Sequence, residues 1–204
     1  MPLDGLLVLD KPVGPTSHDV VARVRRLLRE RRIGHTGTLD PLASGVLLLV
    51  IGRATRLARF LTTDAKHYEA TIRLGFATDT YDALGRPTTP VYGGPLPRFG
   101  QIEEALDKFR GTFDQQPPAF SAKKIAGRRS YRAAREQPAA APVLPAPVAV
   151  EVTNLELIEA QADLIRVNVA CSSGFYVRSL AHDLGVALGV NAHLAELRRT
   201  KAGH

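Results

Sequence analysis

In several segments of the chain, apolar residues either run without interruption or alternate with polar ones. Both patterns predict β-strands, because successive side chains of a strand point to opposite faces of a sheet. The alternation is clearest in KHYEATIRLG, where Tyr68, Ala70 and Ile72 fall on one face. The predicted strands are GLLVLDKP, VLLLVIG, KHYEATIRLG, VAVEVTNLELIE and DLIRVNVACSS.

Other segments place apolar residues three or four positions apart, which is the spacing of one helix face. At the start of the first such segment Ser17 can cap a helix, and Gly34 can end it. A short helix at 53–61 would carry Leu57 and Phe60 on its apolar side. The other predicted helices are QIEEALDKFRG, which Gly111 stops, and residues 176–188.

The order of strands and helices fits neither the regular βαβα alternation of a doubly wound sheet nor an all-helical fold. We therefore predict an α+β fold, with a mixed, mostly antiparallel sheet flanked by helices, in one domain over residues 1–204. The segment at about 117–147 is basic and rich in Pro and Ala, a composition typical of a mobile inserted lobe.

The charge balance suggests what kind of partner the chain binds. Lys and Arg total 27 against 20 Asp and Glu, which gives a net charge of +7 and favours a polyanion such as nucleic acid. Composition alone leaves a protein that happens to be basic as an equal alternative. The arginines and lysines are clustered, however, in ARVRRLLRERR and SAKKIAGRRSYRAAR, which indicates basic surfaces on folded elements.

The sequence also excludes several classes of chemistry and location. Its one cysteine, Cys171, cannot form a disulfide or a cysteine-based metal site within the chain. None of the common nucleotide, flavin or zinc motifs is present, so we expect no cofactor and no metal. The N-terminus lacks the apolar core of a signal peptide, and no apolar run is long enough to span a bilayer. We therefore expect a cytoplasmic protein that does not interact with membranes.

Asp40 is the first candidate for chemistry, in the loop sequence GHTGTLDPLASG. Local sequence alone favours a turn aspartate, because the following Pro41 biases it toward extended or turn conformations. The alternative is a carboxylate held at a loop tip for catalysis. His35 of the same loop, Arg178 near a helix start and Tyr68 in a strand each have a similar structural alternative.

Seven motifs together resemble, in order, the bacterial tRNA pseudouridine-55 synthase (TruB) family, and the resemblance covers nearly the whole chain. Because the motifs recur in order, they are far more specific together than any one alone. They are DKPVGPTS, GHTGTLDPLASGVL, KHY, LGFATDTYDALG, FSAKKIAGRRSYRAAR, CSSGFYVRSLAHDLG and HLAELRRT. The resemblance implies the pseudouridine synthase fold, and an enzyme that isomerises a T-loop uridine of tRNA to pseudouridine without a cofactor.

The resemblance also implies roles for individual residues. Asp40 matches the family's nucleophile, which either forms a sugar adduct or deprotonates the sugar, and Arg178 matches the arginine paired with it. The uridine must be flipped out of the RNA to reach them. The remaining matches are Tyr68 and Tyr176 as aromatics around the flipped base, Leu197 as an apolar contact to it, His35 as the residue filling the rearranged T-loop, Asp79 as a supporting acid for Arg178, and Lys11 with the two basic clusters as phosphate contacts.

The resemblance sets further expectations about domains and partners. The segment around 120–136 resembles the family's mobile thumb, whereas the small C-terminal PUA-type module of many members has no counterpart in the sequence. We expect tRNA as partner, no obligatory protein partner and a monomer. Two alternatives are an RNA-binding factor that folds tRNA with the same architecture, and a guide-RNA-directed synthase subunit, which depends on extensions and partner proteins.

Overall fold

A computed structural model of the chain describes residues 3–120, 124–125, 128–129 and 144–203. The fold within these residues is built around β-strands. They are β1 (Gly5–Lys11), β2 (Ile33–His35), β3 (Ala43–Ile51), β4 (Lys66–Leu74), β5 (Gly111–Gln115), β6 (Lys124–Ile125), β7 (Arg128–Arg129), β8 (Val148–Gln161), β9 (Leu164–Cys171) and β10 (Ala192–Ala202).

Four α-helices accompany the strands in the described part of the chain. They are α1 (Ser17–Leu28), α2 (Ala58–Leu61), α3 (Phe99–Leu106) and α4 (Val177–Ala187). A 3₁₀ helix at Gly52–Leu57 leads into α2, and another at Asp107–Phe109 follows α3. None of these helices is long and apolar enough to cross a membrane.

Eight of the described strands form one sheet in the order β1–β3–β10–β4–β9–β8–β5, and β2 pairs with β3 beside this path. All neighbouring strands are antiparallel except β3 and β10, which pair in parallel through Leu197↔Ala43 and Arg199↔Gly45. The prediction of an α+β fold with a mixed, mostly antiparallel sheet is therefore confirmed.

Two hydrophobic clusters hold the helices against the sheet. The larger joins the apolar side chains of β4, β8, β9 and β10 to those of α3 and α4. The smaller joins Val21 and Val24 of α1 to Leu47 and Leu49 of β3. Burial of apolar surface from water is the main stabilising contribution in both. The two clusters meet at Tyr68 and Leu197, which pack against both of them.

The ends of α1 differ from the prediction. Thr16, not Ser17, caps the helix, because its hydroxyl accepts a hydrogen bond from the Asp19 amide while the Asp19 carboxylate accepts one from the Thr16 amide. The helix ends at Leu28, followed by Arg29 in the left-handed conformation. Gly34, expected to end it, lies in β2.

Sequence periodicity missed three strands of the large sheet, besides the short pair β6 and β7, and misjudged one helix face. The patterns around β2, β5 and β10 predicted no strands, although β10 lies in the middle of the sheet. The helical segment at 53–61 is confirmed as a 3₁₀ helix followed by α2. Its expected apolar side does not pack into the core, because Leu57 and Phe60 are 48% and 59% exposed.

The basic segment predicted at about 117–147 lies mainly outside the described residues. Its described part includes a short antiparallel pair, in which Lys124 faces Arg129 and Ile125 faces Arg128 along the backbone. The thumb-like nature of this segment and the single-domain organisation therefore stay predictions.

Gly45 allows β10 to approach β3 closely. Its φ of +102° lies in the left-handed region, and a Cβ added there would be 2.1 Å from the backbone oxygen of Arg199. Any other residue would strain the backbone at this φ, and its Cβ would clash with the Arg199 backbone, which is held in β10. Glycine avoids both effects. The parallel contact between β3 and β10 therefore depends on the absence of a side chain here.

We predict that Gly45→Ala lowers the free energy of unfolding by about 3 kcal/mol or more, from left-handed strain and overpacking together. The matched control is Gly5→Ala in β1, where an added Cβ meets no atom within 4 Å. That change should alter stability by less than about 0.5 kcal/mol. Urea unfolding of both variants checks the difference, and equal stabilities would contradict the role given to Gly45.

Candidate active site

A pocket of about 430 Å³ lies where the two hydrophobic clusters meet. It brings together the loop before β3, strands β4 and β10, and the turn that leads into α4. The residues that line it are Thr36, Gly37, Thr38, Leu39, Asp40, Thr62, Lys66, Tyr68, Ser172, Ser173, Gly174, Phe175, Tyr176, Val177, Arg178, Leu197 and Arg199.

The loop that carries Asp40 is held by the start of α1. The buried hydroxyl of Ser17 donates to the Leu39 carbonyl (3.0 Å) and accepts from the Leu39 amide (2.8 Å). On the other side of Asp40, the Gly14 amide donates to the Pro41 carbonyl at 2.8 Å. Asp40 is thus fixed between two backbone anchors, while its side chain stays 40% exposed toward the pocket.

Arg178, in the first turn of α4, forms an ion pair with Asp40. The distance between Arg178 Nε and Asp40 Oδ2 is 2.9 Å, and the arginine side chain is only 7% exposed. Its other two nitrogens donate to the carbonyls of Thr80 (2.9 Å) and Phe120 (2.8 Å). Arg178 therefore places a fixed positive charge beside the carboxylate, as the sequence predicts.

The acid that supports Arg178 is Asp82, whereas the sequence pointed to Asp79. Asp82 Oδ2 lies 3.7 Å from Arg178 Nη1, and its Oδ1 accepts from the Thr80 hydroxyl at 2.7 Å. Asp79 instead accepts from the backbone amide of Arg86 at 2.8 Å. Both acids belong to one tight turn, so the motif identified the region, but only the folded turn shows which carboxylate faces Arg178.

Tyr68, Tyr176 and Leu197 give the pocket its aromatic and apolar walls. Burial raises the pKa of the Tyr68 phenol, which therefore stays neutral at physiological pH. The backbone of Tyr176 is clamped by the Gln115 amide group, which donates to its carbonyl (3.0 Å) and accepts from its N–H (2.8 Å). These walls suit a planar ring that enters beside Asp40.

His35 is close to the pocket loop but is not among the residues that line the pocket. It ends β2, and its ring lies edge-on to that of His18 with centroids 5.4 Å apart. Its buried Nδ1 has no hydrogen-bond partner among the described residues. Burial lowers the pKa of His35, and the nearby charges of His18 and Arg199 lower it further.

Lys11 does not occupy the position expected of a phosphate contact. It is 1% exposed, and its ammonium donates to the carbonyls of Pro12 and Pro15, both at 2.8 Å. Burial lowers the pKa of Lys11, while the charge of Asp40 opposes this shift. The lysine therefore holds the loop before α1 in place, and the prediction that it contacts RNA phosphates is wrong for this conformation.

Two buried cations of the pocket were missed by the sequence reasoning. Arg199 is 2% exposed and donates to the carbonyls of Val46 (2.7 Å) and Gly37 (3.1 Å). Lys66 is 6% exposed and donates to the carbonyl of Thr62 at 2.8 Å and to that of Asp64. Arg199 belongs to the motif HLAELRRT and Lys66 to the motif KHY. The motifs therefore contained both cations, but the predicted roles went to Leu197 and Tyr68 in the same motifs.

Beside the pocket, α4 carries a second cluster of ionisable groups. The Tyr81 ring stacks on the His182 ring with centroids 3.9 Å apart, and Tyr81 has a left-handed φ of +63°. Burial lowers the pKa of His182 and raises the pKa of Asp183 to about 6. Because His182 lies one helical turn after Arg178, this stack ties the Thr80–Asp82 turn to the helix that carries Arg178.

Comparison with known proteins identifies the family of the chain. The profile of TruB family pseudouridylate synthases (N terminal domain) matches residues 25–177, and that of the tRNA pseudouridylate synthase B C-terminal domain matches residues 178–204. The chain belongs to the TruB family. The tRNA pseudouridine synthase B of Solibacter usitatus is 52% identical over 201 residues, and that of Gloeobacter violaceus is 47% identical over 202 residues.

Solved structures resemble this TruB-family chain over 98% of its length. A Cbf5-Nop10-Gar1 complex matches with a TM-score of 0.73 and 34% identity. An H/ACA RNP bound to a substrate RNA containing 2'-deoxyuridine matches with a TM-score of 0.69 and 32% identity. The chain spans 67% and 68% of the two sequence relatives but only 49% and 47% of these structures.

We predict that Ser17→Ala destabilises the protein by about 2 kcal/mol, because it leaves a buried amide and a buried carbonyl of Leu39 without their partner. Thr16→Ala is the matched control, which removes the helix cap at a cost of about 1 kcal/mol. Hydrogen exchange separates the two, since only Ser17→Ala should speed exchange of the Leu39 amide. Equal exchange in both variants would contradict the anchoring role of Ser17.

We also predict a pH-dependent effect of Asp183→Asn on thermal stability. The pKa of Asp183 is about 6 in the folded protein, above the value of about 3.9 for an unfolded chain. The stability that this raised pKa gives is present below pH 4 and is lost as the pH rises through 6. The melting temperature of the variant relative to wild type should therefore increase between pH 4 and pH 7, and a constant difference would contradict the prediction.

Proposed function

We propose that this chain isomerises the uridine at position 55, in the T-loop of tRNA, to pseudouridine, with Asp40 as the nucleophile. The observation that carries the proposal is the accessible Asp40 carboxylate, ion-paired at 2.9 Å with the buried Arg178 inside an aromatic-walled pocket. Family membership supports the reaction type, and the relatives named tRNA pseudouridine synthase B support tRNA as substrate.

The pocket fits the steps that this reaction requires. A stacked uridine has to be flipped out of the RNA, at a cost of a few kcal/mol. Tyr68 and Leu197 then receive the base between an aromatic and an apolar wall, which orients its sugar toward Asp40. The N1–C1′ bond breaks, the base turns, a C5–C1′ bond forms, and the proton lost from C5 is balanced by one gained at N1.

Arg178 keeps the carboxylate in place throughout this sequence. Its three nitrogens each hold a different partner, so the guanidinium cannot rotate without breaking hydrogen bonds to Thr80 or Phe120. Asp40 therefore meets the sugar in one orientation, and no side chain has to rearrange as charge develops. Among the described residues, no group of three or more His, Cys, Asp or Glu side chains is placed to hold a metal ion.

The basic face of α1 suits the phosphates of the same RNA. Arg23, Arg26 and Arg29 are exposed, and Arg25 is anchored through the Ile33 carbonyl at 2.6 Å. Exposed arginines on this face would add a salt-sensitive contribution to binding. The second basic cluster, at 123–135, lies mainly outside the described residues. We propose that the protein acts as a cytoplasmic monomer, without a cofactor or an obligatory protein partner.

We predict that wild-type protein releases tritium from a T-arm stem-loop carrying [5-³H]uridine, and that Asp40→Asn lowers the rate by about 10⁴-fold or more. Asp10→Asn is the matched control, since it removes the same charge from an exposed acid that pairs with Arg198. It should release tritium at the wild-type rate.

Two other outcomes would decide against this function. Wild-type protein that binds the stem-loop without releasing tritium would support the tRNA-folding alternative. Release that survives in Asp40→Asn would leave the fold and family intact but remove the nucleophile assigned here. RNA affinity, measured by fluorescence anisotropy on the same variants, separates loss of chemistry from loss of binding.

A further inference from the structure

The helical segment between β3 and β4 exposes three arginines that the candidate reaction does not use. Arg53 and Arg56 lie three residues apart in the 3₁₀ helix, where side chains at i and i+3 fall on the same side, and Arg59 follows in α2. All three are exposed, and within the described residues no ion pair involves them. The only acid bonded to the segment among the described residues is Asp4, whose carboxylate accepts from the Arg53 backbone amide at 2.5 Å, so the segment carries an excess of positive charge.

Phe60 directly follows these arginines in the chain and is not part of the core. It is 59% exposed, and the guanidinium carbon of Arg59 lies 4.6 Å from the centre of its ring. This cation–π contact orients the ring while most of its surface stays accessible to solvent. A large aromatic residue that remains exposed among arginines has the composition of a nucleic-acid contact rather than of a packing position.

The position of Phe60 relative to the pocket is narrowly bounded. Thr62 lines the pocket, and two residues of chain span at most about 7 Å. The intervening backbone is fixed, because the Thr62 amide donates to the Ala58 carbonyl (2.9 Å) and the Lys66 ammonium donates to the Thr62 carbonyl (2.8 Å). The backbone of Phe60 is thus fixed within about 7 Å of Thr62, so Phe60 lies beside the pocket and not in its lining.

We infer that Phe60, together with Arg56 and Arg59, forms a stacking platform for an unpaired nucleotide next to the uridine that enters the pocket. The inference rests on the proposed function, since it takes RNA as the substrate. Removing one base from a loop leaves its neighbours without a stacking partner. An aromatic ring beside the pocket replaces that partner, and the arginines meet the phosphates on either side of the stacked nucleotide.

Charge complementarity selects RNA over a protein as the occupant of this surface. The polar residues within four positions of Phe60 in sequence are Arg56, Arg59, Thr62, Thr63 and Asp64, and the only other exposed large apolar residue of the segment is Leu57. An apolar protein contact would need a wider patch of hydrophobic surface. Exposed arginines without ion pairs instead suit an anionic partner, which the backbone of RNA supplies at every nucleotide.

The test compares three substitutions of Phe60 by their affinity for a T-arm stem-loop, measured by fluorescence anisotropy. Phe60→Ala and Phe60→Leu should each weaken binding about tenfold, because leucine keeps apolar area but has no ring to stack on a base. Phe60→Tyr should bind within about twofold of wild type. Val186→Ala is the control, since Val186 is similarly exposed (58%) but lies in α4, outside the segment between β3 and β4.

A second measurement reports on stacking directly and on the arginines. With 2-aminopurine placed beside the target uridine, wild type and Phe60→Tyr should quench its fluorescence, whereas Phe60→Ala and Phe60→Leu should not. Arg56→Gln and Arg59→Gln should each lower the slope of log affinity against log salt by about one. Phe60→Ala should leave that slope unchanged, because it removes no charge.

The possible results separate the platform from the proposed function. Wild-type affinity in Phe60→Ala, or full replacement of phenylalanine by leucine, would overturn the platform. Tritium release by wild-type protein is followed on the same RNA. If release occurs but Phe60→Ala binds normally, only the platform fails. If wild type binds without release, the proposed reaction fails, and the comparison of affinities still decides the platform.

Discussion

The parallel contact between β3 and β10 is the constraint on which the rest of the structure depends. It places β10 between β3 and β4 in the sheet. It also places Leu197 opposite Ala43, which directly follows the Asp40 loop. Gly45 makes the contact possible by letting the Arg199 backbone come close. Tyr68 then lies opposite Arg199 across the other edge of β10, so one strand aligns both walls of the pocket.

Buried cations hold the loops around this pocket, and each does so through backbone carbonyls. Lys11 binds the loop before α1, Lys66 the turn after α2, Arg199 the loop at Gly37, and Arg178 the turn at Thr80. A buried charge is costly unless its hydrogen-bonding capacity is satisfied. The loop carbonyls accept the hydrogen bonds of the cations, so the position of the loops and the burial of the cations stabilise each other. Beside these buried cations, the Asp40 carboxylate stays accessible.

Periodicity predicted the strands β1, β3, β4, β8 and β9 and the helices α1, α3 and α4, because the apolar residues of each face one of the two hydrophobic clusters. It failed for β10, where Glu196, Arg198 and Arg199 interrupt the apolar pattern and two register shifts against β4 break the alternation. The motifs located Asp40 and Arg178, whose pairing the structure confirms. They could not show whether Asp79 or Asp82 faces Arg178, because that depends on how the turn folds. They could not show that Lys11 is buried, because that depends on how the end of β1 packs.

The partners of Arg178 explain how distant segments are coupled at the site. A guanidinium is planar and rigid, so the positions of its acceptors are geometrically linked. In this protein they are the Asp40 carboxylate, the Thr80 carbonyl and the Phe120 carbonyl, which come from three separate parts of the chain. Phe120 stands at the start of the segment around 120–136 that resembles a thumb. The arginine paired with Asp40 is therefore also bonded to the start of that segment, and a shift there would change the hydrogen bonding of the group that holds Asp40.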